Sequence, residues 1–242
     1  MNRAKQMIAV VAFAVLTLCG CAKSSKTIVR MQKMEEGVAS PTTIDQLREA
    51  IKKYQDRVAD VQLAQAQVGI WYKMLGTRYL DNKMYGEALQ AFQKAISFYP
   101  DNQNLFYWVG VSAGYMAAAA LDYDATGSTE KKYNYLKLAE SAYLRAIEID
   151  PRYVRALYGV AVIYLAYLDE PEKAIGHLEA ALEIEKRNTD AMFRLAEAYY
   201  RTYEFDKAVA QYDRIISLTK DEKRKSLAEQ NKKTVLDAAY TQ

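Results

Sequence analysis

The chain has 242 residues, 51% hydrophobic and 26% charged, with only 10 Gly and 4 Pro, which excludes collagen-like and disordered chains and fits one helix-rich domain. Its 33 Lys and Arg nearly balance 30 Asp and Glu, and with no basic block there is no electrostatic footprint for nucleic acid, whose binding requires several neutralised phosphates. One His, His177, and two Cys, Cys19 and Cys21, remove most routes to a zinc site, a His-based triad, a catalytic thiol or an internal disulfide.

Residues 1–6, MNRAKQ, carry Arg3 and Lys5 and no acid, and lead into Met7–Leu18, 12 residues broken only by Thr17. This is the charged and apolar pattern of an export signal. It is short for a permanent span, which needs about 20 apolar residues. Taken alone it leaves simple secretion or an uncleaved tether open. The next residues, Leu18-Cys19-Gly20-Cys21, resemble a bacterial lipobox, with an aliphatic residue three before Cys21 and a small one directly before it. Cys19 stands where that box usually has a small residue, and Leu18 before it makes Cys19 itself a poor fit. The resemblance implies a signal peptide over residues 1–20, cleavage after Gly20, and acyl chains on Cys21 that anchor the protein to a bilayer, since stable anchoring takes more than one chain. Loss of Arg3 and Lys5 from the 33 bases leaves 31 against 30 acids. The resemblance also implies a periplasm-facing place in the cell envelope. Ala22, where Asp would suggest inner-membrane retention, leaves outer-membrane delivery open. Residues 21–42 are polar, unpatterned and closed by Ser40-Pro41, as expected of a flexible linker.

Residues 43–68 place Leu47, Ile51, Tyr54, Val58, Val61 and Val68 at alternating steps of four and three, interrupted by Gln65. This predicts an amphipathic helix with Thr43 as its N-cap, packed on the repeats that follow or paired with its own copy in a homo-oligomer. From residue 69 to 222 the chain repeats. Tyr72, Leu75, Gly76 and Tyr79 are followed by Ala88, Phe92, Ala95 and Pro100. Those residues and spacings resemble the tetratricopeptide repeat, with Tyr72 where Trp is usual. Gly76 and Ala88 are small where two antiparallel helices touch, Leu75, Tyr79 and Phe92 fill the space beside them, and Pro100 ends the second helix.

The pattern recurs 34 residues on at Val109-Gly110, but Ala139, Tyr143, Ala146 and Pro151 come 51 residues after their counterparts, a 17-residue insertion. A third unit, Leu157, Val160, Tyr164, Ala174, Leu178 and Ala181, is one residue longer than the norm, with Pro171 in its loop and Lys186 where Pro is usual. The fourth carries Met192, Leu195, Ala196, Tyr199, Ala208 and Tyr212, with Lys220 at the Pro position. The resemblance implies an all-α, right-handed superhelix of about four helix pairs, its concave face lined by the first helix of each pair. Residues 223–242, with Leu227, Val235 and Leu236 among Lys and Glu, predict a polar-backed capping helix.

No phosphate loop, paired-cysteine or nucleophile-elbow motif is present, so neither enzyme chemistry nor a cofactor or metal is expected, and His177 reads as structural. Asp122 and Asp124 in the inserted loop lack the ligand spacing of a calcium loop. Groove-facing positions in the family fall here on Lys73, Tyr107, Tyr158 and Phe193, with Asn104, Arg155, Asp190 and Arg201 beside them. Tyr107, Tyr158 and Phe193 are expected as apolar contacts for a protein partner, and Asn104, Arg155, Asp190 and Arg201 as orienting groups. The alternative is that several of these aromatics turn inward and serve the stack. The Ala-rich, insertion-bearing second repeat also resembles the T component of TRAP-type transport systems, which implies a solute-binding protein as partner. A carrier with a closed apolar pocket for a small hydrophobic ligand is the other class.

Overall fold

The computed structural model describes residues 43–120 and 129–240. The expected signal peptide, Cys21, the linker over 21–42, and Asp122 and Asp124 lie outside these residues. All nine α-helices among the described residues follow in chain order: α1 Ile44–Asp81, α2 Tyr85–Ile96, α3 Gln103–Ala119, α4 Glu130–Ile149, α5 Val154–Ile163, α6 Pro171–Ile184, α7 Thr189–Arg201, α8 Phe205–Leu218 and α9 Glu222–Tyr240. The chain divides into two compact units, one to Leu63 and one from Ala64 onward.

In the first unit, helix entry is set by a reciprocal cap. Gln46 N–H donates to Thr43 Oγ1 and Thr43 N–H donates to Gln46 Oε1, both at 3.2 Å, which satisfies two groups that a helix start leaves open. Helix α1 runs without a break through residue 69, where the repeats are expected to start. Gly69, in the second unit, is a contact glycine. A Cβ on it would stand 2.6 Å from Tyr99 Cε2 and 2.7 Å from Phe98 Cβ, and the Tyr99 hydroxyl donates to the Ala66 carbonyl at 2.7 Å.

The second unit is a stack of helix pairs, each second helix packing on the first helix of the next pair: α2 on α3, α4 on α5, α6 on α7, and α8 on α9. Small residues set the approach. A Cβ on Gly76 would lie 2.7 Å from Phe92 Cε1, and Phe92 is wholly buried with Ala88 and Ala95. Leu75 departs from its expected packing role: it is 41% exposed, while its counterparts Val109, Val160 and Leu195 are buried. Those three each follow an earlier pair, and no helix precedes α1 among the described residues. Leu75 instead joins Val68, Trp71 and Met74 in an open apolar patch.

Turns between the helices of a pair are built alike. Lys83 and Tyr203 adopt φ of 58° and 62°. Behind them Met84 N–H donates to the Tyr79 carbonyl and Glu204 N–H to the Tyr199 carbonyl, each at 2.8 Å, which is the Schellman closure of a helix C-terminus. In the third pair the extra residue is taken up inside the helix. Tyr164–Leu168 form a π-helical turn after α5, Asp169 has φ 52°, and Glu170 N–H reaches back one residue further, to the Tyr164 carbonyl at 3.0 Å. Part of the 17-residue insertion lengthens helices. α1 runs five residues past Gly76 whereas α3 runs nine past Gly110, and α2 starts three residues before Ala88 whereas α4 starts nine before Ala139. Tyr115, the last residue of α3 before its added turn, stacks on Tyr85 at 4.5 Å.

Candidate functional site

Helices α5, α7, α8 and α9 enclose a solvent-open cleft of about 460 Å³. Its aromatic wall is Tyr158 of α5, Phe193 and Tyr200 of α7, and Tyr212 of α8. Leu227 and Val235 of α9 close the other side, with Asn231 and Thr234 between them. Spacing explains the α7 side: Asp190, Phe193, Glu197 and Tyr200 recur at three and four residues and so share one helix face. The opposite face of α7, with Met192, Leu195, Ala196 and Tyr199, is buried. Phe193 meets the Tyr212 ring edge-on at 6.1 Å. Burial pushes the Tyr212 hydroxyl pKa up, against a hydrogen bond with Asn231 that lowers it. Tyr212 therefore stays a neutral phenol.

Polar groups in the cleft are held by one another. Arg194 donates to Glu197 at 2.8 Å and hydrogen-bonds Tyr158. At one end Arg224 of α9 reaches Asp190 at 2.7 Å and Thr189 Oγ1 at 2.6 Å, tying the last helix to the start of α7. These pairs are partly exposed and add little to stability. Their effect is to fix side chains around an apolar floor.

Of the residues expected to bind, Tyr158, Asp190 and Phe193 come together in this cleft. Tyr107 turns toward the stack instead, edge-on to Trp108 at 4.9 Å and to Tyr153 at 5.6 Å, and 6.0 Å from Tyr143. Burial raises its hydroxyl pKa, partly offset by Arg155. Asn104 is occupied by the Tyr153 hydroxyl, which donates to it at 2.9 Å. Arg155 is exposed. Arg201 donates to the Leu165 carbonyl at 2.7 Å and to Glu197 at 2.8 Å, and faces a neighbouring polar hollow with Asp169 and Glu172. It meets the cleft's lining through Glu197.

Sequence reasoning missed Arg194, Glu197, Asn231 and Thr234. A signal was available, since one more period of 34 residues from Phe193, Glu197 and Tyr200 lands on Leu227, Asn231 and Thr234. The last helix is thus both cap and groove wall. His177 stacks on Tyr164 at 6.0 Å, and burial lowers its pKa. Among the described residues no three His, Cys, Asp or Glu gather as a metal site, and no helix is long and apolar enough to cross a membrane.

Residues 72–102 and 168–230 match models of the tetratricopeptide repeat. A TPR repeat-containing protein of Borreliella burgdorferi (strain ATCC 35210 / DSM 4680 / CIP 102532 / B31) is 21% identical over 210 residues, covering 86% of this chain and 89% of that protein. Among solved structures, a thermophilic TPR protein of Thermus thermophilus superposes with a TM-score of 0.55 at 22% identity over 66% of this chain and 78% of its own. YrrB, described as a TPR protein with an unusual peptide-binding site, gives 0.53 at 21% identity over 76% of this chain and 87% of its own.

Proposed function

Because the chain carries tetratricopeptide repeats on the fold of their solenoid, we propose that it is a protein-interaction scaffold whose α5–α7–α9 cleft holds an apolar side chain of an extended partner segment. The observation that carries this is the open aromatic floor of Tyr158, Phe193 and Tyr200 beside Asn231 and Thr234. Aromatic rings supply the buried area, and side-chain amide and hydroxyl groups pair with the backbone of an extended peptide. The peptide-binding site named for YrrB, on a similar fold, supports the same class of ligand. An open cleft suits a chain that enters and leaves, whereas an enclosed cavity suits a carried small molecule.

The scaffold is bound to the bacterial envelope through acylated Cys21 and faces the periplasm, a reading supported by the Leu18–Cys21 box and the apolar run before it. The Ala-rich, lengthened second pair makes a solute-binding protein of the TRAP type the first partner to try. Cys21→Ser behind an export signal that is cleaved independently of Cys21, in place of residues 1–20, moves the protein from the membrane to the soluble periplasmic fraction. An unchanged membrane fraction would count against the anchor.

Selection of displayed random peptides on the purified protein tests the cleft. Enriched sequences are expected to share an apolar or aromatic anchor and to lose at least about tenfold in affinity with Phe193→Ala, since a central aromatic contact is worth about 2 kcal/mol. Enrichment indifferent to Phe193→Ala refutes the cleft. Purification with an extractable apolar small molecule and no peptide selection supports the carrier.

A further inference from the structure

The first unit presents an apolar stripe. Ile44, Leu47, Ile51, Val58 and Val61 are 69%, 45%, 55%, 55% and 57% exposed, and Leu47, Ile51 and Val58 with half-buried Tyr54 line one shallow groove on α1. Single exposed apolar residues need no explanation, but an unbroken row on one helix does. Their spacing is heptad, with Ile44, Ile51 and Val58 at one core position and Leu47, Tyr54 and Val61 at the other.

We propose that α1 pairs over Ile44–Val61 with the same segment of a second copy of this chain, in parallel and in register, as a two-stranded coiled coil. The side-chain types identify the occupant. All three residues at the first core position are β-branched and one at the second is Leu, the combination that favours two parallel strands. In that arrangement every core residue meets its own counterpart, so the stripe is complementary to itself without a second kind of surface. The flanking positions agree. Parallel pairing sets Thr43 opposite Arg48, Ala50 opposite Gln55, and Arg57 opposite Gln62, so no like charges meet across the seam. Asp45, Glu49, Asp56 and Asp60 all fall on the outer positions. Arg57 lies over the Tyr54 ring at 5.6 Å, covering the seam edge with its stem. The reciprocal Thr43 and Gln46 cap starts the helix one residue before Ile44, so the whole seam is helical from its first core residue.

Sedimentation equilibrium of the full chain in detergent, with Cys19→Ser and Cys21→Ser, measures the stoichiometry. The expected mass is that of two chains, falling to one in Ile51→Glu with Val58→Glu while the thermal unfolding of the solenoid stays unchanged. In the same thiol-free background Val58→Cys should oxidise to a covalent dimer, because parallel pairing brings equivalent core positions within disulfide reach, and Asp56→Cys on the outer face should not. A single-chain mass at the highest concentration reached overturns the proposal. So do a mass of three or more chains, a dimer that survives the double Glu variant, and equal oxidation at both cysteine positions.

Discussion

Tyr143 shows how single residues space this array. Its ring, 6% exposed, lies between Gly110 of the first helix in its own pair and Gly159 of the next, and a Cβ on either would stand 2.7 Å from Tyr143 Cε1. Neither backbone helix yields easily, so the strain falls on the ring. Gly159→Ala should cost about 1–3 kcal/mol, typical of overpacking, despite Ala's better helix propensity. Adding Gly110→Ala should cost less than its separate effect, because both changes press on one side chain. Urea unfolding of the two single variants and the double variant measures this, and a stabilised Gly159→Ala protein would refute the contact. Tyr164 and Tyr199 make a second recurring device. Their hydroxyls donate to Glu140 and Glu179 of the preceding pair at 3.0 and 2.5 Å, under Lys173 and Lys207 respectively. Glu140 illustrates the balance: burial pushes its pKa up, but hydrogen bonds from Lys137 and Tyr164 carry it below the usual value.

At the scale of the helix, the short turns within a pair carry a non-glycine residue in the left-handed region, at Lys83, Asp169 and Tyr203. An L side chain there costs roughly 1–2 kcal/mol. Lys83→Gly should therefore stabilise the protein by about 1 kcal/mol, less what glycine adds to the freedom of the unfolded chain, and differential scanning calorimetry should record a higher Tm. A lower Tm would mean that Lys83 makes a contact that outweighs its backbone cost. These turns also show what the sequence could and could not reveal. Gly76, Ala88 and Phe92 are legible because Gly110 follows Gly76 by one period of 34, and Ala139 and Tyr143 keep the four-residue spacing of Ala88 and Phe92 beyond the insertion. Helix α1 is not legible as one element, because the repeat pattern, read from residue 69, marks a start where the helix runs on. Tyr107 and Phe193 occupy matching positions and differ in fate, since Tyr107 meets Tyr143 and Tyr153 while Phe193 meets Tyr212 and lines the cleft. A repeat position gives direction from the helix axis, and the neighbours decide whether that direction is open.

In the molecule as a whole, the second unit finishes with α9, whose buried Ala228 and Val235 pack toward α8 and whose Leu227 and Asn231 complete the cleft. Truncation after Lys220 should remove about 2 kcal/mol or more of apolar burial, lowering Tm by several degrees at about 2–4 °C per kcal/mol. It should also weaken selected peptides, because one wall is lost. Circular dichroism melts and peptide titration check both effects, and unchanged binding would place the ligand elsewhere. Stability in such an array is a sum of units and their nearest contacts, so this loss should concentrate in the last pair.

The π turn at Tyr164–Leu168 bears on how the protein tolerates changes in length. The third unit carries one residue too many, yet Ala208 again lies 34 residues beyond Ala174. The surplus is confined to five residues and never reaches the fourth pair. Each pair behaves as a self-correcting graduation on a ruler: a local slip in chain length is quarantined where it arises, and everything downstream, the cleft included, keeps its calibration.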